Sequence, residues 1–227
     1  MENSTKELKF VPLLFSMPID YGCARRSHAR VAAMTKLAAE LIWCVGIGAW
    51  YVIRHPYNRR ARKTPVTRSM HTSLEWVLLV SAAAGLFVIP AIYIASGVPA
   101  ALDRQFVPWM AIFGALTMLV ALWLFWRSHH DLGRNWSASL KLREGHKLAT
   151  VGVYRHIRHP MYLSFVLLGL AQFLLLPNWF AGLVGLVCAL ILFALRFARE
   201  EQMMVECFDD EYRAYMARTK RIIPWFY

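Results

Sequence analysis

The chain has 227 residues, of which 58% are hydrophobic, with a mean hydropathy of +0.38 and a formal charge of +12. A soluble domain is ordinarily less apolar, and here the apolar residues are blocked together, which excludes a simple water-soluble globule. The positive charge sits in segments flanking those blocks, the pattern of basic loops beside membrane spans rather than of a nucleic-acid-binding surface.

Residues 1–36 carry six Lys/Arg, and Lys6–Met17 has the faint outline of a signal peptide but no small-residue cleavage site near it. Leu37–Ile53 is the first candidate span, with Glu40 near its start. The basic loop Arg54–Ser73 follows, then two charge-free runs of span size, Trp76–Leu102 and Gln105–Trp126. After the polar stretch Arg127–Arg158, the 36 residues Pro160–Leu195 contain no Asp, Glu, Lys or Arg. At about 1.5 Å per residue against a hydrocarbon core of about 30 Å, that is enough for two spans. Pro177-Asn178 supplies the turn, so the spacing predicts a helical hairpin, Met161–Leu176 and Trp179–Phe197. Met204, Phe208, Tyr212 and Tyr215 then recur at helical spacing, predicting a surface amphipathic helix over Arg199–Arg221 that caps a pocket.

The predicted fold is an all-α integral membrane protein with about five transmembrane helices, a polar pocket on the cytoplasmic face and a C-terminal amphipathic helix. It divides into an N-terminal extension (1–36), untranslated in part or disordered, three N-terminal spans (37–126) and a region with the helical hairpin and C-terminal helix (127–227), the part to which the family resemblance described below assigns cofactor binding. With five spans, the basic segments 54–73, 127–158 and 196–227 share one face, carrying six, seven and six Lys/Arg. The positive-inside rule makes that face cytoplasmic, at the inner or plasma membrane if the cell is bacterial. The basic N-terminus then lies outside. Either the first span does not cross fully or translation starts at Met34, which would leave only Lys36 there; the second explanation is preferred.

Cys23, Cys44, Cys188 and Cys207 form no C-x-x-C and read as small packing residues. The histidines form no H-x-x-x-H or H-x-x-H-H box, so no metal site is expected. Gly46–Gly48 reads as helix packing rather than a nucleotide loop. Trp109, Trp123, Trp126 and Trp136 read as interfacial belts or packing rather than a channel lining.

The candidate chemistry lies at the two ends of the charge-free hairpin, which a hairpin returns to the same face. At Arg158-His159-Pro160, proline pushes His159 toward an extended backbone and can open a helix at its first position. The N–H groups of that first turn suit an anion, Arg158 offers a bidentate donor, and Tyr154 and Tyr162 offer aromatic faces with hydroxyls. The bland alternative is a helix start with interfacial Arg and Tyr anchors. Likewise, Arg196 with Glu200 and Glu201 is either a ligand-binding set or a solvated charged face. A second Arg-His-Pro, at Arg54–Pro56, has no Gly-x-Tyr before it and no Glu-Glu partner; it reads as a span terminus beside a basic loop.

Taken together, "DLGRNWS", "HKLATVGVYRHIRHPMYL", "RFAREE" and "FDDEYRAYMARTKRIIP" between Asp131 and Pro224 resemble the isoprenylcysteine carboxyl methyltransferase family. The order and spacing of these motifs carry the resemblance over about the last 95 residues. It implies S-adenosylmethionine (SAM) as methyl donor. It further implies that His146, Leu148, Gly152, Tyr154, His159, Pro160 and Tyr162 line the cofactor site, with Arg158 assigned to the same side, and that Glu200 and Glu201 close it from the other helix. Arg196 takes the catalytic position near a substrate carboxylate. Ser164 and Asp209 stand where glycine is common in the family. The implied acceptor is lipidic or reached from the bilayer, such as a prenylcysteine-like carboxylate; a phospholipid amine and a small thiol are the alternatives within methyl transfer. Outside it, an NADPH-dependent membrane sterol or enone reductase and a non-catalytic lipid-binding module remain as readings of the same region.

Overall fold

The computed structural model describes residues 21–63, 66–69, 73–133, 141–143 and 148–222. The helices are α1 (Tyr21–Lys63), α2 (Ser73–Ala83) running through a π turn at Ala84–Val88 into α3 (Ile89–Ser96), α4 (Pro108–Leu132), α5 (Pro160–Leu175) and α6 (Trp179–Arg218). The short strands β1 (Val66–Ser69) and β2 (Lys141–Arg143) pair antiparallel between the long loops. Four helical stretches are long and apolar enough to cross a bilayer: Thr35–Ala61, Ser73–Ser96, Pro108–Leu132 and Trp179–Arg218. With α5 they form the all-α integral membrane architecture expected. At 16 residues α5 is about 24 Å long, short of the hydrocarbon thickness. About the first 20 residues of α6 suffice to cross, so its second half projects beyond the bundle.

α4 packs chiefly on α5 and α5 on α6, with α1 against α4 and α2 against α6. Trp43, Tyr93, Met118, Ala121, Leu168, Leu175 and Leu176 fill the centre. Large apolar side chains such as Val45, Val80, Ile112, Leu119 and Leu190 point outward, as lipid-facing positions do. Trp109, Trp123 and Trp126 are also exposed outward, and Trp136 lies outside the described residues. Because lipid provides no hydrophobic drive between helices, close backbone approach matters. A Cβ at Gly185 would lie 2.7 Å from the Gly85 carbonyl oxygen, so α6 meets the π turn backbone to backbone there. Buried Gln172 donates to the carbonyls of Gly85 (3.0 Å) and Ala181 (2.7 Å), joining three helices inside the hydrocarbon zone.

The hairpin turn forms where expected. Asn178 caps α6, its Oδ1 accepting from the Ala181 N–H at 2.8 Å, while its Nδ2 donates to Pro99 O and Asp103 Oδ1, each at 2.8 Å. Arg104 donates to the last carbonyls of α5, those of Phe173 and Leu176, and lies over the rings of Phe173 and Trp179. A cation at a helix C-terminus meets both the unpaired carbonyls and the dipole.

Two elements differ from expectation. The segment after Ile53 is not a loop: α1 continues to Lys63 with Pro56 in its interior. Contacts on both sides of the proline support the helix through the lost backbone bond. The Arg54 guanidinium lies 5.2 Å from the Trp50 ring, and Tyr57 packs against His129 of α4 at 4.8 Å. Arg54–Pro56 is therefore helix interior, not a span terminus. The C-terminal amphipathic helix forms, but it begins as the continuation of α6 and is interrupted at Asp209, whose φ of 40° and ψ of −116° are non-helical, so that two helices meet there at a kink. Tyr212 and Tyr215 are buried as the pattern required, but Met203 rather than Met204 joins them, and Met204 and Phe208 are half-buried.

A Cβ crowds the backbone at such a positive φ, and glycine does not. Replacing Asp209 with Gly relieves strain of about 1–3 kcal/mol, offset by about 0.5–1 kcal/mol of glycine entropy. Asp209→Gly should therefore raise the Tm of the detergent-solubilised protein by a few degrees, and Asp209→Ala should not. Equal Tm values for the two variants would mean the residue is unstrained.

Candidate functional site

The site is assembled from the loop before α5, the start of α5, the middle of α6 and the residues after it. Gly152 has φ +61° and begins a 3-10 turn, Gly152–Arg155. Asp131, at the end of α4, accepts from the Val153 N–H at 2.9 Å and pairs with Arg127 at 3.1 Å. A Cβ on Gly152 would sit 2.0 Å from Asp131 Oδ2. Both the handedness and the close approach therefore demand glycine. Tyr154 is buried, and its carbonyl accepts from the Tyr215 hydroxyl at 2.6 Å. Burial, with the nearby Glu200 charge, pushes the Tyr154 phenol well above its ordinary range, so it stays a neutral hydroxyl.

Beyond this turn the backbone zips to the C-terminal end of the described chain. Arg158 N–H donates to Lys220 O (2.8 Å), His159 N–H to Arg221 O (3.0 Å) and Lys220 N–H back to His156 O (3.3 Å). His159 is non-helical, as the residue before proline should be, but with φ −121° and ψ 57° it falls short of the extended backbone expected, and Pro160 opens α5 at its first turn.

Four ionisable side chains converge here. Glu201 Oε1 accepts from Arg158 Nε at 2.9 Å and from Arg221 Nε at 3.2 Å, and lies 3.4 Å from His159 Nε2; its Oε2 accepts from Arg221 Nη2 at 2.7 Å. Burial alone would raise the Glu201 pKa, but the hydrogen bonds from His159, Arg221 and Arg158 outweigh it and hold the carboxyl well below the usual range. Arg158 also reaches the carbonyls of Met216 and Thr219. Next to this clamp, Tyr162 donates its hydroxyl to Glu200 and is stacked between His159 (5.1 Å) and Phe193 (4.2 Å). Arg196 lies over the Tyr162 ring at 5.7 Å and pairs with Glu75 of α2 at 3.5 Å. Its Nε is buried without a hydrogen-bond partner among the described residues.

The two ends of the hairpin thus meet. Arg158 and His159 contact Glu201, Tyr162 contacts Glu200 and Arg196, and Tyr154 lies near Glu200, while Gly152 packs on Asp131 and Pro160 is buried at the start of α5. Leu148 is half-buried in the loop before it, and His146 lies outside the described residues. No group of three or more potential metal ligands occurs among the described residues. Three contributors escaped the sequence reading. Asp131 and Arg221 were inside the motif stretches but carried no distinctive spacing. Glu75 is a lone carboxylate at the head of an apolar run, a placement that signals partnership only in retrospect.

Fold and site define a polytopic helical membrane protein with a charged, aromatic-walled cluster where its terminal helical hairpin returns to one end of the bundle. Residues 112–206 match the model of the isoprenylcysteine carboxyl methyltransferase (ICMT) family. The chain is 29% identical over 119 residues to protein-S-isoprenylcysteine O-methyltransferase B of Arabidopsis thaliana, covering 52% of this chain and 60% of the relative. It is 32% identical over 84 residues to the Schizosaccharomyces pombe protein-S-isoprenylcysteine O-methyltransferase, covering 37% and 36%. To methanethiol S-methyltransferase 1 of Bradyrhizobium diazoefficiens it is 36% identical over 75 residues, covering 32% and 25%. The alignments thus span 60% or less of each of these relatives.

Gly152→Ala should destabilise the protein by at least about 2 kcal/mol, from the left-handed backbone and the Asp131 clash together, read as a fall in Tm in detergent. Glu201 makes a second, pH-dependent prediction. Its folded pKa lies below the unfolded value of about 4.3. Its stabilisation is therefore complete above that value and is lost as pH falls through it toward the folded pKa. The Tm deficit of Glu201→Gln should be full at pH 7 and narrow below about pH 4; a deficit independent of pH would show that the charge is not what stabilises.

Proposed function

We propose that the protein is a SAM-dependent methyltransferase acting in the membrane on a lipidic acceptor with a carboxylate end, such as a prenylcysteine. The observation that carries this reading is the meeting of the Arg158–Tyr162 segment with Arg196, Glu200 and Glu201 inside the region that matches the family. The donor set fits the cofactor. SAM carries a sulfonium, an ammonium, a carboxylate, ribose hydroxyls and a flat base. The cluster offers the Glu200 carboxylate for hydroxyls or cations, guanidinium groups at Arg158 and Arg221 for a carboxylate, and the ring of Phe197 for a flat group. Gly152, Tyr154, His159 and Pro160 would shape the wall, with Leu148 and His146 on the loop leading to it.

When bound, SAM supplies a methyl group already activated by the sulfonium, which calls for neither a metal nor a covalent enzyme intermediate. The chain's own work is alignment and exclusion of water. A carboxylate acceptor is nucleophilic without a general base. Arg196 is the residue to hold it, because its buried Nε is a donor still in need of an acceptor. The apolar helices around the cluster keep it dry, which strips water from the nucleophile. A thiol acceptor is the second reading, favoured by the 36% identity to a methanethiol S-methyltransferase. A thiol would have to lose its proton, with His159 in the wall to receive it. The basic segments around the cluster support a cytoplasmic face for it under the positive-inside rule.

Calorimetric titration of the detergent-purified protein with S-adenosylhomocysteine, with NADPH in parallel, tests the reading. Micromolar binding of the first alone is expected, weakened at least about tenfold, or about 1.4 kcal/mol, in His159→Ala and Glu201→Ala. Binding of NADPH instead would move the protein to the reductases. Binding of neither by folded protein would indicate a non-catalytic module.

A further inference from the structure

Glu75 is 3% exposed, in the first turn of α2, at a helix end that otherwise presents apolar side chains to lipid. It lies outside the matched region 112–206, yet its carboxylate stands 3.5 Å from Arg196 Nη1, 121 positions away in sequence. An ionised group at the edge of the hydrocarbon zone is costly unless paired or functional. Arg196 is buried too. It is fixed on one face by the Tyr162 ring and at its Nη1 end by Glu75, while Nε is left without a hydrogen-bond partner among the described residues. A guanidinium is a rigid planar fork, so anchoring one end sets the direction of the remaining donors.

We infer that Glu75 is the positioning residue for Arg196: it holds the guanidinium from α2 so that the Nε edge remains turned to the carboxylate of the acceptor. This rests on the reading of Arg196 as the acceptor-binding residue. It gives the N-terminal helices a part in acceptor recognition, whereas the residues proposed for the cofactor all come from His146 onward. The second charge also sets selectivity. Arg196 already neutralised by Glu75 attracts a further anion only in the direction its fixed donors allow, so a carboxylate is distinguished from a neutral amide by orientation as well as charge.

The test uses the full chain in detergent, with N-acetyl-S-farnesylcysteine as acceptor and its carboxamide as a competing ligand. Glu75→Gln keeps shape and removes charge. Its acceptor KM should rise at least about tenfold, and the preference for acid over amide should fall by a similar factor (about 1.4 kcal/mol). Affinity for S-adenosylhomocysteine should stay within about twofold, a split that a merely structural loss would not produce. In an Arg196→Gln background the same substitution should add nothing, since both act through one contact. Should Glu75→Gln fail to fold, Glu75→Asp, which retains the charge one methylene shorter, should show an intermediate loss of acid preference. If Arg196→Gln loses the acid preference while the Glu75 variants keep it, or if the two substitutions add, Glu75 has no positioning role. If the wild type binds S-adenosylhomocysteine but neither methylates nor binds the acid, the carboxylate-acceptor reading itself is wrong and the role of Glu75 falls with it.

Discussion

The arrangement of the whole polar end depends on one carboxylate. Glu201 sits on α6, yet its hydrogen bonds come from Arg158, before α5, and from Arg221, beyond the end of α6. Three chain segments that would otherwise separate are tied at a single side chain. Two guanidinium groups around one buried carboxylate are poor as a net source of stability, because desolvation cancels much of the attraction. What such a cluster does well is define geometry, since removing any member leaves a buried charge without its partner. The backbone ladder from His156–His159 to Lys220–Arg221 follows from it. So does the placing of Tyr162 between His159 and Phe193, with its hydroxyl on Glu200.

At the opposite end, the same problem of helix termini in a membrane is met with a cation and an amide. Arg104 takes the orphan carbonyls of α5, and Asn178 takes the N–H groups of α6 while holding the α3–α4 connection through Pro99 and Asp103. Between the ends, the Gly85–Gly185 approach and the Gln172 bridges fix how deep α6 lies against the second helical rod. That depth is what brings Arg196 level with Glu75, and so the outer contacts set the inner ones.

Much of this was legible in the sequence because it depends on local pattern. Charge-free runs of span length mark the helices, and Pro177-Asn178 marks the turn. A hairpin of that length necessarily returns Arg196–Glu201 to the level of Arg158–Tyr162. What escaped depended on contacts between elements far apart in the chain. Pro56 would end an isolated helix, but Trp50 and His129 support it on either side. Asp209 stands where glycine is common in the resembled family, and that was the sign of the kink, where a single residue is held in a glycine-like conformation. Glu75 looked like an ordinary residue of a helix first turn until α2 was seen to pack on α6.

The two Arg-His-Pro copies show how little a tripeptide specifies alone. At Pro56 the chain upstream is already helical, so the proline is an interior residue and Arg54 folds back onto Trp50. At Pro160 the chain upstream is a non-helical segment after a 3-10 turn, held by Lys220 and Arg221, so the same proline becomes the first residue of a helix. Arg158 and His159 are consequently aimed at Glu201, a carboxylate on another helix, while Arg54 lies over the Trp50 ring and His55 beside Tyr51 on their own helix. The difference between packing and a candidate binding site lies in what fixes the backbone before the proline. Here that is the C-terminal segment, folded back by the Glu201 clamp.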